Sequence, residues 1–382
     1  MAEDEDEDAD AIARAVRLHG EAMSAAENGR LDAASTLAGE ALELFERESG
    51  PVHPDLANVL NCLADVHEQR AEYAEAEACS RRSVEIMRGV RVRGSGEDID
   101  RLYVQSLTKL GSLVRVLGRY TEAEPVLREA VTVAEESLGE EDGDVVTALN
   151  ALAVLFKYSG RFDEAAALYD RALRLAERMG GPDDPSIATL LHNIGGLDHA
   201  RGEYARGEPA ARRAVEIRER AFGADHPAVA ADVAALAAIF DGQGRHEEAE
   251  QMYRRALNIF ERVYGPDHYE IAVNLNNLAG IREGQGHCDE AEALYRRALA
   301  IKESLFGADH PDVAMTLNNL ALLLAGMGRG DEAEPLYERA LRTFASRLES
   351  GHPKVRACVG NYAALLRDRG RGAAARALEK RY

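Results

Sequence analysis

Gly118, Gly160, Gly202, Gly244, Gly286, Gly328 and Gly370 stand 42 residues apart without a slip. A period of that length marks one supersecondary unit repeated along the chain, since no single helix or strand pattern recurs so widely. The frame extends back to Gly29 and Ala71, also 42 apart, and the 47 residues from Ala71 to Gly118 place a five-residue insertion near "RVRGSGEDID", residues 91–100. Nine units result, expected near residues 12–57, 58–103, 104–146, 147–188, 189–230, 231–272, 273–314, 315–356 and a truncated cap over 357–382. Residues 1–10 precede them and are expected to form a disordered acidic tail, because such a run has too little apolar surface to order itself.

Each unit reads as two helices. Over residues 309–350, Pro311 suits an early helical position and Asp309 is expected to serve the exposed amides. Leu317, Leu320, Ala321 and Leu324 follow at the three-and-four spacing of one buried face. Gly328 stops that helix and turns the chain. "DEAEPLYERALRTF" begins the second with acids in its first turn, and Ala333, Tyr337 and Ala340 line its inner side. Ala, Leu, Arg and Glu dominate and Trp is absent, so the expected class is all-α, with neighbouring pairs burying a face that no single pair can bury. In the cap, Glu379 stands where a buried residue would otherwise be, as a solvent-facing end requires.

These residues resemble the tetratricopeptide repeat (TPR). Its pattern of large, Leu, Gly or Ala and large, then Gly, Ala, aromatic and Ala, is met by Leu317, Leu320, Ala321, Leu324, Gly328, Ala333, Tyr337 and Ala340. Ala165, Tyr169 and Ala172 repeat the second half, and the long 42-residue form is similar to the kinesin light chain type. The resemblance covers about residues 12–382 and implies a right-handed α-solenoid of about nine stacked helix–turn–helix repeats. Gly207 replaces the first Ala of one second helix, and Asp198 and Arg282 replace the last large residue of two first helices, so those units are expected to be looser.

Charge and motif content exclude several function classes. A formal net charge of −21 argues against nucleic acid, which needs a concentrated basic face. No apolar run approaches the roughly 18 residues that span a bilayer, and "MAEDEDEDAD" is the opposite of a secretory signal, so a cytoplasmic protein without membrane contact is expected. Cys62, Cys79, Cys288 and Cys358 form no CxxC pair and are expected to be reduced, packed thiols. His53, His226, His268, His310 and His352 recur at the turn between units, too far apart to share an ion, so they are expected to pack and hydrogen-bond there, and no metal or cofactor is expected. Phosphate-binding Lys loops, GxSxG and HExxH are all missing, so no enzyme is expected.

The first helices carry the candidate contacts. Their buried faces hold the pattern residues, so the two positions after the first of these point to the concave side. Those positions hold Asn318 with Asn319, Asn276 with Asn277, His192 with Asn193, and Asn150, while Asn61 and Asn361 fill one of the pair in their units. An amide supplies both donor and acceptor, as gripping an extended peptide backbone requires, and the alternative is an Asn bonding between neighbouring first helices without a ligand. In TPR proteins that bind peptides Asn has this role, so the resemblance implies a peptide-binding groove here. Lys109, Arg115 and Lys157 are expected to form a basic cluster for an acidic ligand, of the kind kinesin light chains take, with a scattered solvated surface as the alternative. The acids of residues 3–10 are long enough a tail to fold back on that cluster. The favoured reading is a non-catalytic scaffold for a peptide or partner protein in the groove. Its rivals are a self-assembly module and a sensor or regulatory subunit of a separately encoded signalling protein, and the oligomeric state stays open.

Overall fold

The computed structural model describes residues 2–27, 30–70, 72–182, 184–348 and 351–382, with side chains described from residue 11 onward apart from residue 27. Residues 2–10, expected to form a disordered tail, are helical instead and make the first turns of a helix that runs Ala2–Glu27. Their side chains, and so the expected folding back on the basic cluster, lie outside the described residues, as do the frame positions Gly29 and Ala71. Among the described residues there are eighteen α-helices and no strand. First and second helices alternate: α1 (Ala2–Glu27) and α2 (Leu31–Ser49), α3 (Pro54–Gln69) and α4 (Tyr73–Arg93), α5 (Glu97–Val116) and α6 (Tyr120–Ser137), α7 (Gly143–Tyr158) and α8 (Phe162–Gly180), α9 (Pro185–Arg201) and α10 (Tyr204–Phe222). The series continues with α11 (Pro227–Gly242) and α12 (His246–Tyr264), α13 (Tyr269–Gly284) and α14 (Cys288–Phe306), α15 (Pro311–Gly326) and α16 (Gly330–Arg347), and α17 (Pro353–Asp368) and α18 (Gly372–Arg381).

Local chemistry sets the starts and stops. The recurring histidines are N-caps: Nδ1 of His53, His226, His268, His310 and His352 accepts the backbone N–H two residues on, at 3.1 to 3.3 Å. Asp142 and Asp184 do the same with a carboxylate at 2.8 Å. Proline follows the cap in α3, α9, α11, α15 and α17, where its missing N–H was an unpaired donor in any case. The cap of α15 is thus His310, and the expected Asp309 stands one residue too early and is exposed. Between α15 and α16, Gly328 sits at φ 77°, which lets Arg329 N–H reach back to the Leu324 carbonyl at 2.8 Å. Leu317, Leu320, Ala321, Leu324, Ala333, Tyr337 and Ala340 are all buried, and so are Ala165, Tyr169 and Ala172. All four cysteines are free thiols, with Cys62 and Cys358 buried.

The chain divides into two compact units, Met1–Leu155 and Phe156–Tyr382, where the periodicity predicted one array. In the first, α3 touches both α1 and α5 across the repeats; in the second, α9, α11, α13, α15 and α17 touch in series. The second unit also closes on itself. His352 Nε2 donates to the Tyr158 carbonyl at 2.9 Å, 194 residues away, and Lys354 Nζ lies 5.5 Å from the Tyr158 ring centre.

Candidate functional site

A groove of about 650 Å³ opens in the first unit between α1, α3, α5 and the first turns of α7. His19 and Met23 face it from α1, Asn61, Cys62, Asp65 and Glu68 from α3, Gln105, Thr108, Lys109 and Ser112 from α5, and Asp144 from α7. The amphipathic first helices put their pattern residues into the core, which leaves these positions on the groove wall.

Asn61 lies at the groove floor, with 9% of its surface exposed. Its Nδ2 donates to Ser106 Oγ at 3.0 Å, while Ser106 in turn donates its one proton to the Leu102 carbonyl at 2.9 Å. Asn61 Oδ1 is itself buried and has no partner; Thr108 Oγ1, of another residue on the groove wall, is buried without one as well. Asn61 and Thr108 hold the same place in successive repeats, 47 residues apart across the insertion. Beside them, Lys109 pairs with Asp65. Glu68 stands within the field of Lys109, Asp65 and Arg115; desolvation raises its carboxyl above the ordinary value, Lys109 and Arg115 oppose that, and Asp65 adds to it. Asp144 bonds Arg101 at 2.7 Å and accepts from Gln105 at 3.3 Å. Burial lowers the pKa of His19, against the field of Asp55, and of the three carboxylates on the lining Asp65 meets Lys109 and Asp144 meets Arg101.

The second unit treats the same sequence positions differently. Asn319 Nδ2 donates to Asn276 Oδ1 at 3.4 Å, Asn318 Nδ2 to Asn319 Oδ1 at 3.3 Å, and Asn361 Nδ2 to Asn318 Oδ1 at 3.2 Å. A ladder of amides therefore ties α13, α15 and α17 together, while Asn277 is hydrogen-bonded to Tyr253. His192 Nδ1 lies 2.7 Å from Asp232, whose other oxygen lies 2.7 Å from Arg218. Asn150 and Asn193 are half-buried and engaged by neighbours. Of the expected basic cluster, Lys109 and Arg115 share α5 and face Asp65 and Glu68, so they are counter-charged. Lys157 belongs to the second unit, where its Nζ lies 5.2 Å from the Tyr158 ring centre.

Elsewhere in the second unit, charge is buried around α14 and the first helices α15 and α17. Tyr269 donates to Asp312 at 2.7 Å, and Lys302 donates to Thr316 at 3.1 Å. Desolvation alone would raise the Asp312 carboxyl, but Lys354, Lys302 and His310 with the Tyr269 hydroxyl hold it down to about 2. Burial lowers the pKa of both Lys302 and Lys354. Sequence reasoning missed Thr108 as a groove residue, although its place one repeat after Asn61 was readable once the insertion was counted. Among the described residues no group of three His, Cys, Asp or Glu side chains is arranged to hold a metal, and no helix is long and apolar enough to cross a membrane.

Comparison with known proteins bears on this architecture. Crystal structures sharing it include a Rap protein complexed with Competence and Sporulation Factor, 15% identical, covering 86% of this chain and 97% of the other with a TM-score of 0.59. Nearly identical TPR-like repeats of a kinesin light chain from Podosopora anserina are 22% identical over 52% of this chain and 94% of the other, with a TM-score of 0.42. BtubC (BKLC) from P. vanneervenii is 25% identical over 71% of this chain and 90% of the other, with a TM-score of 0.32. No curated protein matches the chain. The tetratricopeptide repeat model matches residues 14–89, 102–178, 186–262, 230–304, 282–342 and 312–382. Those matches run through both compact units and follow the same helix pairs that the 42-residue glycine period marks, so the chain belongs to the tetratricopeptide repeat family.

Proposed function

We propose that this protein is a non-catalytic cytoplasmic scaffold that holds an extended segment of a partner protein in the groove of its first unit. The observation that carries this reading is the groove itself, walled by first helices and about 650 Å³ in volume, enough for a few residues of extended chain. Rigid stacked helices pre-organise such a wall, so little receptor entropy is lost on binding. The Asn61 amide and the Thr108 hydroxyl supply the polar contacts that fix a backbone in register. The amides of Asn276, Asn318, Asn319 and Asn361 keep a secondary place in this reading. The bonds between them use at most one donor and one acceptor of each, and an amide has two of both. Asn150, His192, Asn193 and Asn277 extend that wall in the same reading, and Arg115 and Lys157 add charge to it. In the Rap structure the bound molecule is Competence and Sporulation Factor, on a fold of the same kind.

The test is a groove block. Ser112 lines the wall without being buried in the core, so Ser112→Trp fills the groove and leaves the helices intact. A random decapeptide display library panned on the full chain is expected to enrich binders whose affinity falls at least about tenfold on Ser112→Trp. Enriched binders that ignore the block, or no enrichment at all, would overturn the reading.

A further inference from the structure

The unpaired atoms and the charge of the first-unit groove specify its ligand further, given that the groove takes a peptide at all. In the second unit, the two ladder bonds between repeats run from the second inward position of one repeat to the first inward position of the repeat before it, as from Asn319 to Asn276 and from Asn361 to Asn318, each 43 residues back. With the five-residue insertion added, the residue that stands in that relation to Asn61 is Lys109. A lysine ammonium is a donor and could complete the bond, but Lys109 is drawn instead to Asp65 on the same helix as Asn61. The acceptor at Asn61 is left buried and unpaired for that reason, and so is the Thr108 hydroxyl on the same groove lining. An unpaired buried acceptor costs free energy that only an incoming donor removes.

Charge points to the same donor. Lys109 meets Asp65 and Arg101 meets Asp144, but Glu68 has no hydrogen-bonded partner of its own among the described contacts. We infer that the groove selects a peptide segment carrying an arginine, whose guanidinium donates to Asn61 Oδ1 and lies against the Asp65 and Glu68 carboxylates, displacing Lys109 from Asp65. A guanidinium has only donors, in a planar fork suited to carboxylates, and so it meets acceptors and acids together. An acidic segment would bring carboxylates to a wall that already carries three and leave the Asn61 acceptor unpaired.

The sign of one substitution separates the two ligand classes. Removing Lys109 frees Asp65 for an arginine ligand and strips an acidic ligand of its cation. Decapeptides recovered from the display library on the full chain are scored for net charge, then matched fluorescein-labelled peptides, one with two arginines and one with two glutamates, are titrated by anisotropy. Enrichment of arginine is expected, with the arginine peptide binding several-fold more tightly to Lys109→Ala and about tenfold more weakly to Asp65→Asn/Glu68→Gln. Asp65 is exposed, so the double substitution leaves the fold intact, and unchanged helical circular dichroism checks this. Asn61→Ala is expected to weaken the arginine peptide by a further several-fold. Binders that the Ser112→Trp block releases but that are neutral or acidic, or that weaken on Lys109→Ala, would overturn the arginine inference and leave the groove reading standing. Binders that ignore the block would overturn both.

Discussion

Asn318 accepts from Asn361 at 3.2 Å and donates to Asn319 at 3.3 Å, whereas Asn61 makes one bond, to Ser106, and keeps an unpaired oxygen. The residues are chemically identical and sit at the same place in their helices, so the difference comes from what the next repeat offers. Asn361 offers an amide to Asn318; Lys109 offers an ammonium that a nearer carboxylate takes. The energetic consequence is measurable. Asn319→Ala breaks two amide bonds and leaves Asn276 and Asn318 short of a partner, at a cost of about 1–2 kcal/mol. Asn61→Ala loses one bond but also removes an unpaired acceptor, so its cost is expected to be less than half as large. Urea unfolding of the two variants decides this, and equal costs would mean that the Asn61 oxygen is already satisfied.

At the scale of the element, the departures from the repeat pattern turn out to be matched pairs. Glu208, Glu250, Glu292 and Glu334 recur every 42 residues on the second helices, and an arginine from the following repeat meets each. Arg245, Arg329 and Arg371 do so for Glu208, Glu292 and Glu334 at 3.2, 2.5 and 2.6 Å. The hydrogen bond from Arg329, against desolvation, holds the Glu292 carboxyl below its ordinary range. In the α13–α14 repeat the corresponding residue is His287, and Arg282, the anomalous residue of α13, reaches Glu250 at 2.7 Å in its place. Asp198 is likewise buried and lies 2.9 Å from Arg206, and a Cβ on Gly207 would stand 3.0 Å from the Asp198 Cβ, so the two departures make room for each other. The expectation that these units are looser took each residue alone. Arg282→Ala should cost about 1–2 kcal/mol, because both partners of the pair are largely shielded from water. Adding His287→Arg should recover most of that in a double-mutant cycle by urea unfolding, and strictly additive costs would refute the substitution of one pair for the other.

For the molecule as a whole, the closure within residues 156–382 is what a list of repeats does not contain. Gly160 and Gly244 hold equivalent turns at the same φ of 80°, yet a Cβ at 160 would stand 3.0 Å from the Pro353 ring, while at 244 nothing lies within 4 Å. Both alanine substitutions carry the cost of about 1–2 kcal/mol that a side chain incurs in left-handed backbone. Gly160→Ala is expected to cost about 1 kcal/mol more, since it also pushes α17 off the Tyr158–Gly160 segment and its His352 bond. Equal unfolding midpoints for the two variants would mean that the closing contact adds nothing to stability.

By itself, the sequence determined the helix pairs, their stops at glycine and their Ala–Tyr cores, because these depend on contacts within a repeat or one repeat away, and such contacts carry the 42-residue period. The groove-facing places of Asn61 and Lys109 were legible for the same reason. What only the tertiary structure decided is which amides satisfy one another, which charges cancel, and where the chain meets itself. Asp65 meets Lys109 across 44 residues and His352 meets Tyr158 across 194, and neither meeting repeats along the chain. A periodic pattern cannot encode a contact that occurs once; such contacts are fixed by the accumulated geometry of the stack.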